Sequence, residues 1–315
     1  MSKFQQEVER LRSILEQGYL QKDSRVTTIR GAHLMLSTVA NNRTAFENEL
    51  KNMQTHGFNT IRTWAWWPWL ISEEWLSTVN KYDLKAVIVL PVPIDAPPWQ
   101  CDPFDYITVA EWENALNPVL NRYGSDPRIL AWEIISEPYI KPEHYQDFKD
   151  VINYVKSKST LPVTVGFDEF TQIPIFHEAL DIISYHVYQF GEWATSPEPR
   201  LPWEILDTKL TDLEQFGKPI LIGEIGFPTW YYWKYERSDY GNTPYKIPGI
   251  TRTTRETEQL QYDYFANMLH IIKEHNIFGY IMWQWLDDQP SGEGGFGLKG
   301  LYPDLRPKPA MALFP

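Results

Sequence analysis

Short and almost continuous apolar runs alternate along the chain with longer segments of helical character. Most of these runs lack a polar–apolar alternation, which is typical of parallel strands covered on both faces. They predict eight strands: Thr28–Leu34, Thr60–Trp64, Ala86–Pro91, Ile129–Ser136, Val163–Gly166, Ile182–Val187, Ile220–Glu224 and Gly279–Trp283. Strands that each precede a helical segment predict a single α/β domain over residues 1–315, a (β/α)8 TIM barrel, with a doubly wound open sheet as the alternative.

Helix start and stop signals lie between the predicted strands. Three residue pairs fit the capping box, in which a hydroxyl and a carboxylate cap each other's backbone: Thr44–Glu47, Thr108–Glu111 and Thr253–Glu256. Ser72 predicts a further helix start and Gly57 a helix end. Pro118 predicts a kink inside one helix. Residues 1–21 predict an extra amphipathic helix before the barrel.

Long connections follow three of the predicted strands. They read "PIDAPPWQCDPFDY" after strand three, "QFGEWATSPEPR" after strand six and "PTWYYWKYERSDYGNTPYKIPG" after strand seven. In a barrel, all three lie on the face that carries active sites. Long loops on that face indicate function.

Charge and cysteine content exclude several classes of protein. The formal net charge of −12 argues against nucleic acid as a partner, because phosphate binding needs a basic surface. No stretch approaches the roughly 20 apolar residues of a membrane span. Cys101 is the single cysteine, which excludes an internal disulfide and a multi-cysteine zinc site. The N-terminus lacks an apolar signal core, which favours the cytoplasm, whereas a chain trimmed of its leader would be secreted.

No cofactor is expected from the glycine-containing stretches. "RGAHLML" lacks the spacing of a dinucleotide-binding turn, and "SGEGGFG" lacks the lysine and the helix of a phosphate loop. The aromatic content is high, at 15% with 14 Trp. Flat apolar rings pack against sugar rings, so carbohydrate is the favoured partner. The oligomeric state stays open.

Two glutamates end two predicted strands. Glu137 follows strand four in "IISEP", and Glu224 closes strand seven in "ILIGEIG". Strands four and seven face each other across the mouth of a barrel, so both side chains reach one central point. Cleavage of a glycosidic bond needs such a pair, because one acid protonates the leaving oxygen and one carboxylate attacks or activates water.

Several motifs in chain order resemble glycoside hydrolase clan A, most closely family five, the cellulase and mannanase group. They are "IRTWAW", "WEIISEPY", "ISYHVY", "ILIGEIGF" and "YIMWQW", and the tail "GLYPDLRPKPA" resembles the usual ending of the clan. The resemblance covers essentially the whole predicted barrel. It implies a retaining mechanism on β-1,4-linked hexoses, with Glu224 as nucleophile and Glu137 as acid/base. Such a mechanism requires Glu224 ionised and Glu137 protonated, about 5–5.5 Å apart.

The same resemblance implies substrate-binding roles at other strand ends. Arg62 corresponds to an arginine near the nucleophile, and His186 and Tyr188 to a His-x-Tyr on strand six. Trp283 corresponds to an aromatic floor under the sugar. In "RTWAWWPW", one or two of the tryptophans are expected to line the cleft, Trp64 among them. "RTW", "HVY" and "WQW" lean towards β-mannan, with a β-glucan substrate as the alternative.

Ser136 departs from the family pattern, which has asparagine before the acid/base. That asparagine binds the 2-hydroxyl of the sugar, a contact that strengthens in the transition state. A serine hydroxyl is shorter and offers fewer groups. We therefore expect a slower or differently selective enzyme, and a sugar-binding barrel that no longer cleaves is the alternative. A metal-dependent barrel hydrolase is disfavoured, because His33 stands alone and only seven histidines exist.

Overall fold

The computed structural model describes most of the chain. The described residues are 29–34, 42–64, 71–94, 101–188, 202–229, 255–275, 277–287, 295–300 and 305–314. The predicted N-terminal helix lies outside them, as do most of the connections after strands six and seven and part of the one after strand three. No described helix is both long enough and apolar enough to cross a membrane.

Eight parallel strands form a closed barrel in which each strand pairs with the next and the last pairs with the first. This confirms the predicted (β/α)8 TIM barrel, and the doubly wound alternative is wrong. The strands are β1 Ile29–His33, β2 Thr60–Trp64, β3 Lys85–Val89, β4 Ile129–Ser136, β5 Val163–Phe167, β6 Ile183–Val187, β7 Ile220–Ile225 and β8 Gly279–Met282.

The predicted strands two and four have the observed bounds, and each of the other six differs by one or two residues at one or both ends. Strand three was predicted to end at Pro91 but ends at Val89. The next residue, Leu90, donates its N–H to Glu133 O, and no ladder bond can continue at Pro91, which has no N–H. Trp283 lies directly after β8 rather than inside it.

Helices cover the outside of the barrel. They are α1 Arg43–Thr55, α2 Glu73–Lys81, α3 Val109–Tyr123, α4 Tyr145–Lys158, α5 Ile173–Phe176, α6 Pro202–Glu214 and α7 Arg255–Glu274. Their apolar faces pack on strands β2 to β7, which are buried almost throughout. Burying both faces of the strands accounts for their continuous apolar sequence.

The predicted caps have mixed outcomes. Ser72 caps α2, and the Thr108–Glu111 capping box at α3 is confirmed. The prediction that Thr44 caps α1 is wrong, because Asn42 takes that place and its side chain accepts the N–H of Ala45.

Three further helix signals were predicted: a helix end at Gly57, a kink at Pro118 and a helix start at Thr253. Gly57 follows α1 with a φ of 71°, a left-handed conformation that favours glycine. The helix α3 continues through Pro118. Thr253 lies outside the described residues.

Candidate active site

Glu224 and Glu137 converge at the carboxyl end of the barrel. Glu224 belongs to β7, and Glu137 follows β4 directly. One carboxylate oxygen of each, together with a ring nitrogen of His186, lie within 4.8 Å of one another. That spacing is compatible with the carboxyl separation of roughly 5–5.5 Å in retaining glycosidases.

The backbone of Glu137 turns sharply where β4 ends. Its φ is 53°, a left-handed conformation that non-glycine residues seldom adopt. The N–H of Glu137 donates to the carbonyl oxygen of Gly166 in β5 at 2.6 Å, which ties this turn to the neighbouring strand. The Glu137 side chain is 16% exposed, whereas that of Glu224 is 6% exposed. The two carboxyls therefore sit in different environments.

Arg62 in β2 lies beside Glu224, as the sequence predicted. The guanidinium is fully buried, and its Nη1 donates to Glu224 Oε1 at 2.6 Å. The Nε and Nη2 atoms donate to the two oxygens of Glu133 at 2.7 and 2.6 Å. Arg62 thus bridges two buried carboxylates on opposite sides of the barrel interior.

His186 and Tyr188 contact the two glutamates from β6 and the residues that follow it. Within the β6–β7 ladder, His186 is the register partner of Glu224. Its Nδ1 lies 2.9 Å from Glu137 Oε1 and 3.6 Å from Glu224 Oε1. The hydroxyl of Tyr188 donates to Glu224 Oε2 at 2.5 Å. Glu224 therefore accepts a hydrogen bond at each oxygen, one of them from a cation.

Opposing influences act on the pKa of Glu224. Burial raises it and is the largest influence, and the charge of Glu137 acts in the same direction. His186, Arg62 and the Tyr188 hydrogen bond lower it, but the net pKa is raised. The positive charge of Arg62 thus favours the ionised form, as expected from the sequence, but against a desolvation cost that the sequence did not reveal.

Burial also favours the neutral form of the site histidine. It is the largest influence on His186 and lowers its pKa, and the charge of Arg62 adds to this although Glu224 opposes it. Burial lowers the pKa of Arg62 too, but Glu133 and Glu224 outweigh it, so that its net pKa is raised. Burial and Arg62 thus favour a neutral imidazole beside a charged guanidinium.

Aromatic rings lie next to this charged cluster. Trp283 is 5% exposed, and its ring lies 4.3 Å from that of His33, centroid to centroid. Trp64 meets His33 edge-on at 6.3 Å, and the Arg62 guanidinium lies 5.3 Å from the Trp64 ring. The roles predicted for Trp64 and Trp283 in sugar binding stay predictions. The other tryptophans of "RTWAWWPW" lie outside the described residues.

Ser136 is buried at the end of β4, with an exposed fraction of 1%. Its Oγ accepts a hydrogen bond from Arg62 Nη2 at 3.0 Å. This bond leaves the hydroxyl proton and a second lone pair of Oγ for a sugar or a water. Its contact with a sugar 2-hydroxyl stays a prediction.

Glu137, His186 and Glu224 also have the residue types of a metal site. A cation at this point would lie close to the Arg62 guanidinium, which already donates to Glu224 Oε1 at 2.6 Å. The two positive charges would repel each other. The site is therefore better suited to acid–base and nucleophilic chemistry than to holding a metal ion.

Three residues of the site were missing from the sequence prediction: Glu133, Gly166 and His33. Glu133 had a recognisable signal, because a carboxylate inside the apolar run "ILAWEIIS" must find a buried partner. Gly166 had no such signal, since its importance comes from what approaches it in space. His33 was noted only as an isolated histidine in strand one, and it proves to be fully buried against Trp283.

Comparisons with known proteins bear on the fold. No family model and no curated protein matches the sequence. The structure is similar to that of Ruminococcus gnavus beta-glucuronidase, with a TM-score of 0.67 and 17% identity, over 91% of this chain and 49% of that chain. The Faecalibacterium prausnitzii beta-glucuronidase gives a TM-score of 0.68 at 15% identity, over 91% of this chain and 48% of that chain.

The beta-D-glucuronidase of Dictyoglomus thermophilum is a third similar structure, with a TM-score of 0.67 at 14% identity, over 91% of this chain and 50% of that chain. This chain thus spans about half the length of the structures it resembles. At such identities the likeness shows a shared (β/α)8 fold. The resemblance to family five stays a prediction.

Proposed function

We propose that this chain is a retaining β-glycoside hydrolase. The observation that carries the proposal is the pair of carboxylates after β4 and in β7, with oxygens within 4.8 Å of each other. Their surroundings support different roles. Glu224 is held by Arg62 and Tyr188 and suits the nucleophile, whereas the more exposed Glu137 contacts His186 and suits the acid/base.

The reaction would proceed by two displacements. In the first, an oxygen of Glu224 bonds to the anomeric carbon, the glycosidic C–O bond breaks, and Glu137 gives its proton to the leaving oxygen. In the second, Glu137 takes a proton from water, which attacks the same carbon and releases Glu224. The Nδ1 of a neutral imidazole either donates or accepts, so His186 is compatible with both protonation states of Glu137.

The substrate class we propose is a β-1,4-linked hexose oligosaccharide or polysaccharide, with a lean towards β-mannan. Trp64 and Trp283, beside the carboxylates, support a sugar ligand, because aromatic faces pack on sugar rings. The lean towards mannan rests on the sequence motifs alone, and a β-glucan remains the alternative. The similar solved structures are beta-glucuronidases, so a β-glucuronide belongs among the substrates tested.

A substrate panel with two matched variants tests the proposal. We expect hydrolysis of an aryl β-hexoside, with the β-anomer as first product by NMR. Glu224→Ala should abolish hydrolysis, and azide should then restore turnover and yield the α-glycosyl azide. Glu137→Ala should still react with substrates whose leaving group needs no proton. Inverted product would contradict the roles given to both glutamates, and sugar binding without turnover would favour a non-hydrolytic barrel.

A further inference from the structure

Arg62 distributes its hydrogen bonds unequally between two carboxylates. Two of its nitrogens donate to Glu133, at 2.7 and 2.6 Å, in the paired geometry that guanidinium and carboxylate favour. Only Nη1 donates to Glu224, at 2.6 Å. Glu133, which has no role in the proposed reaction, therefore accepts more hydrogen bonds from Arg62 than Glu224 does.

Glu133 is fully buried in the middle of β4, four residues before Glu137. Both of its oxygens accept from Arg62, which is the pattern of an ionised carboxylate. Burying a charge in a barrel interior is costly unless it is paired, and one partner removed leaves the other uncompensated. An apolar residue at this position would avoid that cost, so the carboxylate calls for an explanation.

Gly166 gives Glu133 the space it needs. A Cβ added to Gly166 would lie 2.5 Å from Glu133 Oε1 and 2.5 Å from His186 Nε2. Real Cβ atoms do not approach other atoms so closely, so the missing side chain admits both groups. The carbonyl oxygen of Gly166 also accepts the N–H of Glu137. This position in β5 thus supports Glu133, His186 and Glu137 together.

We infer that Glu133 is a positioning residue that fixes Arg62 and shares its positive charge, and thereby sets how readily Glu224 becomes protonated. The charged and titratable groups that face Glu224 are Arg62 from β2, Glu137 after β4, and His186 and Tyr188 on the β6 side. Glu133 acts on it through Arg62. Without the Glu133 charge, the guanidinium has Glu224 as its remaining carboxylate partner among the described residues.

Replacing Glu133 should therefore make Glu224 more acidic. Glu133→Gln keeps the shape of the side chain and removes the charge. The positive charge of Arg62 is then no longer shared with Glu133 and acts on Glu224. An opposite charge so close lowers a carboxyl pKa by about one unit or more. The catalytic meaning of this shift rests on the proposed function, whereas the titration itself does not.

Carboxyl titration by ¹³C NMR measures the effect without turnover. Protein labelled at glutamate Cδ would carry Glu137→Gln in every sample, so that Glu224 does not titrate as one of a pair. The Glu224 signal is assigned by its loss in Glu224→Gln. We expect its midpoint to fall by about one pH unit in Glu133→Gln. An unchanged or raised midpoint would overturn the inference.

A matched control and a second variant complete the test. Glu49 forms a comparable buried pair with Lys299, at 2.7 and 2.9 Å, outside the site. Glu49→Gln should leave the Glu224 midpoint unchanged, and an equal shift there would overturn the inference. If Glu133→Gln does not fold, the double variant Arg62→Met with Glu133→Met removes one cation and one carboxylate and leaves the net charge of the cluster unchanged. Its Glu224 midpoint should rise, and an unchanged value would overturn the inference.

Activity assays separate this inference from the proposed function. With Glu137 restored, Glu133→Gln should move the acid limb of the kcat/KM profile to lower pH, in the same direction as the NMR midpoint, with KM nearly unchanged. Glu133→Asp keeps the charge and should restore most of the wild-type profile. A shifted midpoint in a protein that hydrolyses no substrate would contradict the proposed function alone.

Discussion

Two buried cations of this barrel have different surroundings. Lys299 donates to both oxygens of Glu49 on α1, and the indole N–H of Trp285 donates to the same carboxylate at 2.7 Å. Among the described residues, Lys299 has this one carboxylate partner. Arg62 lies between two carboxylates, Glu133 and Glu224, with Glu137 close to the second.

The difference lies in charge balance. The Glu49–Lys299 pair is neutral as a unit, so its cost is desolvation alone, which its hydrogen bonds offset. The cluster around Arg62 has more carboxylates than cations, and the net pKa of Glu224 is raised by burial and by Glu137. A buried ion pair whose charges cancel stabilises the fold. A buried cluster that is unbalanced is typical of a site where a proton must move.

The largest expected effect is on the proposed hydrolysis at the cluster around Arg62. Glu224→Gln should lower kcat/KM by roughly 10⁴-fold or more, as is typical when a nucleophile or its partner is removed. The melting temperature should stay the same or rise, because Arg62 retains Glu133 and one repulsion with Glu137 disappears. Initial rates and thermal unfolding measure the two effects. A large loss of stability would instead make Glu224 a structural residue like Glu49.

The balanced pair should show the opposite behaviour. Lys299→Met leaves Glu49 buried without its cation and should lower the free energy of unfolding by about 3–5 kcal/mol. The kcat of the folded protein should not change. Adding Glu49→Leu should recover most of the loss, since an apolar pair of similar volume replaces an ion pair at little cost. Denaturant unfolding at constant pH gives both values.

The sequence predicted more of the fold than of the site. Continuous apolar runs identify buried parallel strands, so the barrel and most strand ends followed from Ile129–Ser136 and its counterparts. Predictions from local signals were wrong where two nearby residues could both cap a helix: Asn42 rather than Thr44 caps α1. Capping depends on backbone angles that the sequence does not display.

Within the site, strand ends predicted Glu137 and Glu224 as the catalytic pair, but not what surrounds them. Arg62 donates hydrogen bonds to two carboxylates, and this arrangement depends on the barrel register and on the space beside Gly166. Both arise from residues distant in the chain. Their contacts influence how readily Glu224 ionises, so the electrostatics needed the structure, whereas the catalytic roles stay predictions.

A smaller effect concerns the pH dependence of stability, which differs between a histidine of the buried cluster and one outside it. His33 is fully buried, and burial lowers its pKa well below 6.5, with Arg62 and His186 acting in the same direction. The unfolded chain therefore binds a proton below pH 6.5 that the folded protein excludes, and stability falls as the pH falls. His33→Gln should reduce this slope by up to about 1.4 kcal/mol per pH unit. Comparing slopes cancels the contribution of Glu224, which is common to both proteins.

His275 provides the contrasting case and the smallest effect. Burial lowers its pKa, but its contacts with Asp207 and Glu214, at 2.8 and 3.0 Å, outweigh this and raise it. Its contribution to stability is therefore present below pH 6.5 and lost as the pH rises through the folded pKa. His275→Gln should remove the gain of stability on acidification between the folded pKa of His275 and pH 6.5, whereas His33→Gln makes the loss of stability below pH 6.5 shallower. If both variants changed the slope in the same direction, the acid sensitivity would not come from the buried cluster.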